Sequence, residues 1–229
     1  MKRFILVAIF ILSVFLIKET NAQRFQGALS AGLNITQVDG DEVYGFKHYG
    51  LNIGPSVLIP FTKNKKWTIT IEILYSQVGS YEKYANVDTL PRPYYKINLD
   101  YVQVPVLVHF IDKNAVAGGV GFSYGQLVDV KEWRHGQRTN TNLQGPYKIR
   151  DYDVLVDIKI KLWQRLWLNF RYTYSMLNFG RELYHNQLYP NNPNLDHTRK
   201  LYNNELAFRF TYVFNQEIIH KKQTKPKGH

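Results

Sequence analysis

Residues 166–176, LWLNFRYTYSM, alternate between two kinds of side chain. The even positions carry Leu, Phe, Tyr and Met, and the odd positions carry Trp, Asn, Arg, Thr and Ser. Because successive side chains of a β-strand point to opposite faces, this pattern predicts one strand with an apolar face and a polar face that includes Arg171. In a soluble sandwich the apolar face is buried, whereas in a membrane barrel it contacts lipid and Arg171 points into the lumen.

The same two-residue period recurs along the chain, and no segment has a convincing helical period. After the N-terminal segment there is no apolar run long enough for a membrane helix. We count eight predicted strands, an even number that suits a closed barrel. They cover approximately residues 25–36, 48–61, 67–77, 96–110, 116–130, 151–163, 166–176 and 203–214.

The connections between these strands alternate in length. Those after the second, fourth and sixth strands are the short segments TKNKK, DKN and QR, whereas the others cover residues 37–47, 79–95, 131–150 and 180–200. Short turns on one rim and long loops on the other are typical of outer-membrane barrels. We therefore predict an all-β protein: an eight-stranded antiparallel up-and-down transmembrane β-barrel with long extracellular loops and short periplasmic turns, located in the bacterial cell outer membrane.

The N-terminus is typical of an export signal. Lys2 and Arg3 precede an apolar run at residues 4–17, and TNA before Gln23 forms a small-residue cleavage site. We predict a signal peptide at residues 1–22, an outer-membrane β-barrel at 23–214 and a basic periplasmic tail at 215–229. An uncleaved membrane anchor is the alternative interpretation of the N-terminal segment.

The formal net charge of +11 first suggests an acidic partner such as nucleic acid. Export argues against nucleic acid, and the cations concentrate in loops and in the tail HKKQTKPKGH rather than in an aromatic and basic groove. A solvated tail and contact with anionic headgroups or polymers both fit this composition. The absence of cysteine excludes disulfides, thiolate catalysis and cysteine-based metal sites.

Charged side chains occur on the polar faces of several strands and are missing from the apolar faces, where each would cost about 2–4 kcal/mol near the bilayer midplane. Because an eight-stranded barrel has room only for side chains, and unpaired buried charges are costly, we expect a plug of ion pairs in the lumen. A proton or ion pathway through the same residues is the alternative. The predicted lumen network consists of Glu72, Gln103, Asp157, Lys159, Arg171, Glu205 and Arg209, with the carboxylates Glu72 and Asp157 paired to its cations.

Several motifs, taken in order, resemble the PorT-like outer-membrane β-barrel family of Bacteroidota. They are AGLNITQVDGD at 31–41, YVQVPVLVHF at 101–110, GGVGFSYG at 118–125, LNFRYTYSM at 168–176 and FRFTYVF at 208–214. The resemblance implies an eight-stranded barrel without enzymatic activity and, through the namesake, a role in type IX protein secretion. Gln103 stands where the family usually has Glu, and the chain continues past the terminal aromatic residue Phe214.

Three further features have competing interpretations. DGDE at 39–42 is interpreted as a solvated turn, with a calcium site as the alternative. KEWRHGQR at 131–138 opens the third long loop. There Lys131, Arg134 and Arg138 would suit lipopolysaccharide phosphates, or belong to a plain solvated loop. Pro105 inside a strand predicts either a bulge or a position where the missing N–H is tolerated.

The histidines do not form a convincing catalytic set. His135, His185 and His197 lie in long loops and His109 lies near the periplasmic rim. Since no Ser–His pair occupies adjacent lipid-facing positions of neighbouring strands, we predict no catalytic residue. His185, Asp196 and His197 have an undistinguished spacing for a metal site, and we predict no metal and no cofactor.

These observations lead us to expect a non-enzymatic outer-membrane protein that acts as a structural or accessory component. Its expected partners are outer-membrane lipid or lipopolysaccharide and other envelope or secretion-system proteins, including a gliding-related assembly. One alternative is an outer-membrane lipid-modifying enzyme. Another is a soluble lipocalin-like periplasmic carrier, in which the apolar faces would point inward.

Overall fold

The computed structural model describes residues 25–41, 43–83, 95–184 and 197–214. No helix in this part of the chain is long and apolar enough to cross a membrane. The predicted signal peptide, the predicted tail, Glu42, His185 and Asp196 lie outside the described residues. The strands are β1 (Gln26–Asp39), β2 (His48–Pro60), β3 (Trp67–Glu72), β4 (Leu74–Glu82), β5 (Tyr95–Asp112), β6 (Val116–Arg134), β7 (Gln137–Arg138), β8 (Arg150–Lys161), β9 (Leu166–Ser175), β10 (Gly180–Tyr184) and β11 (His197–Val213).

The strands close into a ring of antiparallel neighbours. β1 pairs with β2, β2 with β3 and β4, these two with β5, and the order continues through β6, β8, β9 and β11. β11 then returns to β1 in a ladder from Ala28 opposite Val213 to Asp39 opposite Tyr202. Because β3 and β4 follow one register as a single strand, the ring has eight strands and the predicted up-and-down barrel is confirmed.

Two prolines coincide with the split between β3 and β4. Ile73, which lies between them, donates its backbone N–H to the carbonyl of Pro55 at 3.0 Å, but Pro55 has no N–H to return. Pro105 borders the same break, between the β5 residues that pair with β3 and those that pair with β4. The register shift of β5 lies between Asp100 and Tyr101, so Pro105 is not part of a bulge. Of the two predicted alternatives, it occupies a position where the missing backbone N–H is tolerated.

The polar face of β9 points into the barrel and its apolar face points outward. Arg171 is 3% exposed and points into the barrel, while the adjacent Tyr172 is 41% exposed on the outer surface. Stripes of apolar side chains that face outward fit lipid and contradict the lipocalin-like arrangement. The outer surface includes Leu29, Leu33, Leu51, Val57, Ile71, Val102, Val104, Val106, Val108, Val120, Phe122, Val154, Val156, Ile158, Phe208 and Phe210.

Toward the long loops, the chemistry of the two faces inverts. Ile97 and Leu99 of β5 are fully buried inside the barrel, while the polar Lys96 and Asn98 alternate with them. An apolar interior with a polar exterior is the arrangement of a water-soluble protein, so the strands continue beyond the lipid belt as an extracellular extension. Its interior consists of Val38, Val78, Tyr95, Ile97, Leu99, Tyr101, Leu127, Val130, Tyr147, Phe179 and Leu201.

This extension makes several strands longer than the sequence predicted. β6 continues to Arg134 instead of ending near residue 130, and β11 begins at His197 instead of near residue 203. β6 then turns back onto β7 through His135 and Gly136, which both have positive φ, 50° and 76°. The sequence does not predict these strand ends, because the pattern of apolar side chains outside and polar ones inside holds only within the lipid belt.

The periplasmic end is closed by a smaller apolar cluster next to the three short turns. Ala28, Ala117, Trp167 and Val213 are buried there, with Leu58 and Ile111 packed against them. The polar interior of the barrel therefore lies between two apolar clusters, one at each end.

Candidate functional site

The strand period directs five of the predicted lumen residues to one level inside the barrel. Glu72 ends β3, Asp157 and Lys159 lie on β8, and Arg171 and Arg209 point inward from β9 and β11. The register places Asp157 directly opposite Arg171. Each of the five side chains belongs to a residue that is at most 6% exposed.

Arg171 is the centre of this set. Its two terminal nitrogens each donate to one oxygen of Glu72 at 2.9 Å, a bidentate contact that suits the planar guanidinium. Its Nε also donates to Asp157 Oδ1 at 3.2 Å, and Nη2 lies 3.4 Å from Oδ2. Since β3 and β9 are not neighbours in the ring, the pair formed by Arg171 and Glu72 crosses the lumen.

Arg209 makes a second connection across the lumen. Its Nη1 donates to Glu72 Oε2 at 3.1 Å and to Asn52 Oδ1 at 3.2 Å. Its Nε donates to Asn169 Oδ1 at 2.8 Å, and Asn169 Nδ2 donates onward to Asp157 at 2.7 Å. The two guanidinium groups therefore share Glu72, and amide side chains satisfy donors that would otherwise be stranded.

His109 joins the same set from β5. Its Nε2 lies 2.8 Å from Asp157 Oδ2, and its Nδ1 lies 3.0 Å from Thr70 Oγ1. Lys159 Nζ is 3.7 Å from the same Asp157 oxygen. The sequence placed His109 near the periplasmic rim, and the structure shows in addition that its ring faces the lumen, where the residue is only 2% exposed.

A hydroxyl, an imidazole and a carboxylate in series are also the components of hydrolase triads. Here the carboxylate of Asp157 contacts Nε2 of His109 and the hydroxyl of Thr70 contacts Nδ1. Thr70 is 0% exposed, so a substrate cannot reach its hydroxyl. These contacts hold the imidazole ring of His109 in place.

Glu205 and Gln103, the other two predicted lumen residues, lie apart from the ion pairs. Gln103 Nε2 lies 3.4 Å from Glu205 Oε1, and Ser76 Oγ lies 3.5 Å from Oε2. Ser76 also accepts from Asn52 Nδ2 at 3.3 Å, which links this pair indirectly to Arg209. Among the described side chains, no cation lies within ion-pair distance of Glu205.

The sequence reasoning selected charged residues at mid-height and missed several partners of the network. All of them occupy inward positions of the predicted strands, so the two-residue period was the signal that could have found them. Apart from Gln103, the predicted set consists of charged residues at mid-height, so it omits the other amides and the hydroxyls, as well as Asp151 and Asp153, which lie nearer the extracellular side. The missed residues are Asn52, Thr70, His109, Asp151, Asp153 and Asn169.

The three predicted anion contacts lie on the extracellular extension. Lys131 Nζ is 2.5 Å from Asp129, and Arg134 Nε is 2.5 Å from Glu132. The hydrogen bond from Lys131 lowers the pKa of Asp129 below its ordinary value. Arg138 is exposed on β7 and forms no ion pair within the described residues, so two of the three cations already have an anionic partner in the chain.

The predicted turn after β1 has local hydrogen bonds. Asp41 Oδ1 accepts the backbone N–H of Val43 at 2.9 Å, and Asp39 Oδ1 accepts from Gln37 Nε2 at 2.7 Å. Such contacts are typical of turns. Throughout the described ranges, no group of three or more His, Asp or Glu side chains is placed to hold a metal ion.

Comparison with solved structures finds several small outer-membrane proteins. Ail of Yersinia pestis, in complex with the heparin analogue sucrose octasulfate, is 13% identical with a TM-score of 0.47, covering 83% of this chain and 99% of Ail. Neisserial surface protein A is 11% identical with a TM-score of 0.47, covering 83% and 96%. OprG of Pseudomonas aeruginosa is 11% identical with a TM-score of 0.40, covering 85% and 98%.

None of the curated proteins matches the sequence significantly. A family model described as the outer membrane protein beta-barrel domain matches residues 20–180, which is more than half of the chain. This match agrees with the closed ring of eight strands and its apolar outer surface. The protein is therefore an outer-membrane protein and belongs to the outer membrane protein beta-barrel domain family.

Proposed function

We propose that the protein is a non-enzymatic structural or accessory component of the outer membrane, which holds its extracellular extension at the cell surface. The observation that carries this proposal is the bidentate pair of Arg171 and Glu72, which crosses the lumen between the two apolar clusters. A lumen crossed by buried ion pairs has no room for a water-filled channel or a substrate. The work of the protein therefore takes place on its surfaces.

A conductance measurement tests the closed lumen. The full-length mature protein, reconstituted in a planar bilayer, is expected to give no steady ionic current. The double variant Glu72→Ala/Arg171→Ala is the comparison, since it removes the pair that crosses the lumen. A steady current through the wild-type barrel would overturn the proposal.

The surface partner that we propose is the phosphate of lipopolysaccharide. Arg181 of β10 and Lys200 of β11 lie directly opposite each other and are both exposed. Like charges at opposite positions of neighbouring strands repel, and a bound anion relieves this repulsion. Arg138, also exposed, adds a cation on β7. Other exposed cations of the same end are Lys148 and Arg150.

Binding of lipopolysaccharide to the detergent-solubilised protein tests this partner. We expect binding that weakens with added salt and that falls for Arg181→Gln/Lys200→Gln. Lys65→Gln, on a periplasmic turn, is the matched control and should bind as the wild type does. Equal binding of dephosphorylated lipopolysaccharide would contradict a phosphate site.

More specifically, we propose that the protein is a component of a secretion-related or gliding-related assembly of the envelope. It is supported by the resemblance of the strand motifs to PorT-like barrels and by the location in the outer membrane. Copurification from gently solubilised outer membrane tests it, and the expected result is an envelope protein that remains bound after washing. Recovery of lipid and barrel-assembly factors alone would overturn this assignment.

A further inference from the structure

The buried charges of the lumen are unevenly distributed. At the level of Arg171, three cations (Lys159, Arg171 and Arg209) accompany two carboxylates (Glu72 and Asp157). Three carboxylates nearer the extracellular side are almost completely buried, and none of these three has a cation within ion-pair distance among the described side chains. They are Asp151, Asp153 and Glu205, each at most 2% exposed.

Counting hydrogen-bond donors identifies Asp153 as the least satisfied of the three. Asp151 accepts from Ser175 Oγ and from Asn203 Nδ2, both at 2.7 Å, and its Oδ1 accepts the backbone N–H of Tyr152 at 2.9 Å. Ser175 has a single hydroxyl proton and lies farther from Asp153 Oδ1, at 3.4 Å, so its proton goes to Asp151. The other oxygen of Asp153, Oδ2, has no hydrogen-bond partner among the residues that the structure describes.

Two neutral oxygens beside these carboxylates are also unsatisfied. Ser123 lies directly opposite Asp153 on β6 and is 5% exposed, and no described residue forms a hydrogen bond with its Oγ. Asn203 is 1% exposed and donates through Nδ2 to Asp151, while its Oδ1 accepts no hydrogen bond from the described part of the chain. Buried polar atoms in proteins nearly always have a partner, and water or a bound ion completes such a group where the protein supplies no donor.

We propose that a hard cation of the calcium or magnesium class binds in the lumen between Asp151 and Asp153, with Ser123 Oγ and Asn203 Oδ1 as neutral ligands. Hard cations prefer carboxylate, hydroxyl and amide oxygens, which are the groups present. No three acidic or histidine side chains converge in the described part of the chain. The proposed site therefore consists of two carboxylates, and neutral oxygens and water supply the remaining ligands. The cation also offsets the negative charge of Glu205 nearby.

Calorimetric titration of the full mature chain in zwitterionic detergent tests the site. After removal of divalent ions with a chelator, CaCl₂ and MgCl₂ are titrated separately at fixed pH and ionic strength. We expect one ion per chain and a higher urea midpoint of unfolding when the ion is present. Asp153→Asn is expected to abolish both effects. Asp112→Asn, at the exposed end of β5, is the matched control and should keep them.

Ser123→Ala is a second variant, which removes a neutral ligand without changing the charge and is expected to weaken cation binding. It tests the site even if Asp153→Asn does not fold. Asp39→Asn removes a carboxylate of the turn after β1. Comparing this variant with Asp153→Asn distinguishes cation binding in the lumen from cation binding at that turn. A urea midpoint that depends on pH but not on either cation would mean that the carboxylates carry protons instead, and would overturn the proposal. Binding that survives Asp151→Asn and Asp153→Asn would overturn it as well.

Discussion

Replacing Arg171 by leucine removes the central cation of the lumen. The side chain makes two contacts of 2.9 Å with Glu72 and contacts of 3.2 and 3.4 Å with Asp157. After the substitution Glu72 keeps only Arg209 Nη1, at 3.1 Å, as a cationic donor. Asp157 keeps the donor Asn169 at 2.7 Å, its contact with His109 and, at 3.7 Å, Lys159. Because removing one partner strands a buried charge, we expect Arg171→Leu to lower the free energy of unfolding by about 3–5 kcal/mol.

Urea unfolding in lipid bilayers, followed by tryptophan fluorescence, measures this loss. Arg138→Leu is the matched control, since it removes an exposed cation of the same kind and should change the free energy of unfolding by less than about 0.5 kcal/mol. The double variant Glu72→Gln/Arg171→Leu should recover part of the loss, because the glutamine leaves no stranded charge. An unchanged midpoint for Arg171→Leu, or a double variant that is no more stable than Arg171→Leu, would refute the ion-pair network as a source of stability.

Three further predictions use the same unfolding measurement. A Cβ added at Gly32 would lie 2.0 Å from the carbonyl oxygen of Phe208, so Gly32→Ala should destabilise the barrel by about 1–3 kcal/mol or more. Gly118→Ala, which meets no atom within 4 Å, should be neutral, and equal effects would contradict the packing explanation. Val106→Arg places a charge in the middle of the lipid-facing stripe of β5 and should cost about 2–4 kcal/mol, and no loss would count against lipid contact there. Leu99→Ala removes a fully buried side chain of the extracellular extension and should cost about 2–5 kcal/mol, whereas a neutral result would argue that this interior is loosely packed.

The sequence predicted the level of the lumen at which the charges meet, but not their full set of partners. The pairing of Glu72 with Arg171 could be anticipated, since both are inward-facing charges of opposite sign. The roles of Asn52 and Asn169 could not, because an amide on a polar face is equally suited to contact with water. Which of these side chains meet depends on the relative heights of strands on opposite sides of the barrel.

The extracellular extension illustrates a second limit. The alternation of Ile97 and Leu99 with Lys96 and Asn98 is as regular as that of residues 166–176. Period alone gives the two faces and not the solvent that each one contacts. Where lipid ends and water begins is decided by the assembled barrel, and at that height the same alternation changes from apolar outside to apolar inside.

The sequence by itself determined the number of strands, the faces of each strand, the alternation of short turns and long loops, and hence an outer-membrane barrel. These follow from local geometry, since a strand period of two and the length of a connection are properties of neighbouring residues. Only the tertiary structure decided that Arg171 and Arg209 share Glu72 and that Asp153 lies without a donor beside Ser123. Such contacts join residues far apart in the chain, and they exist only when closure of the ring fixes the register of every strand against the others.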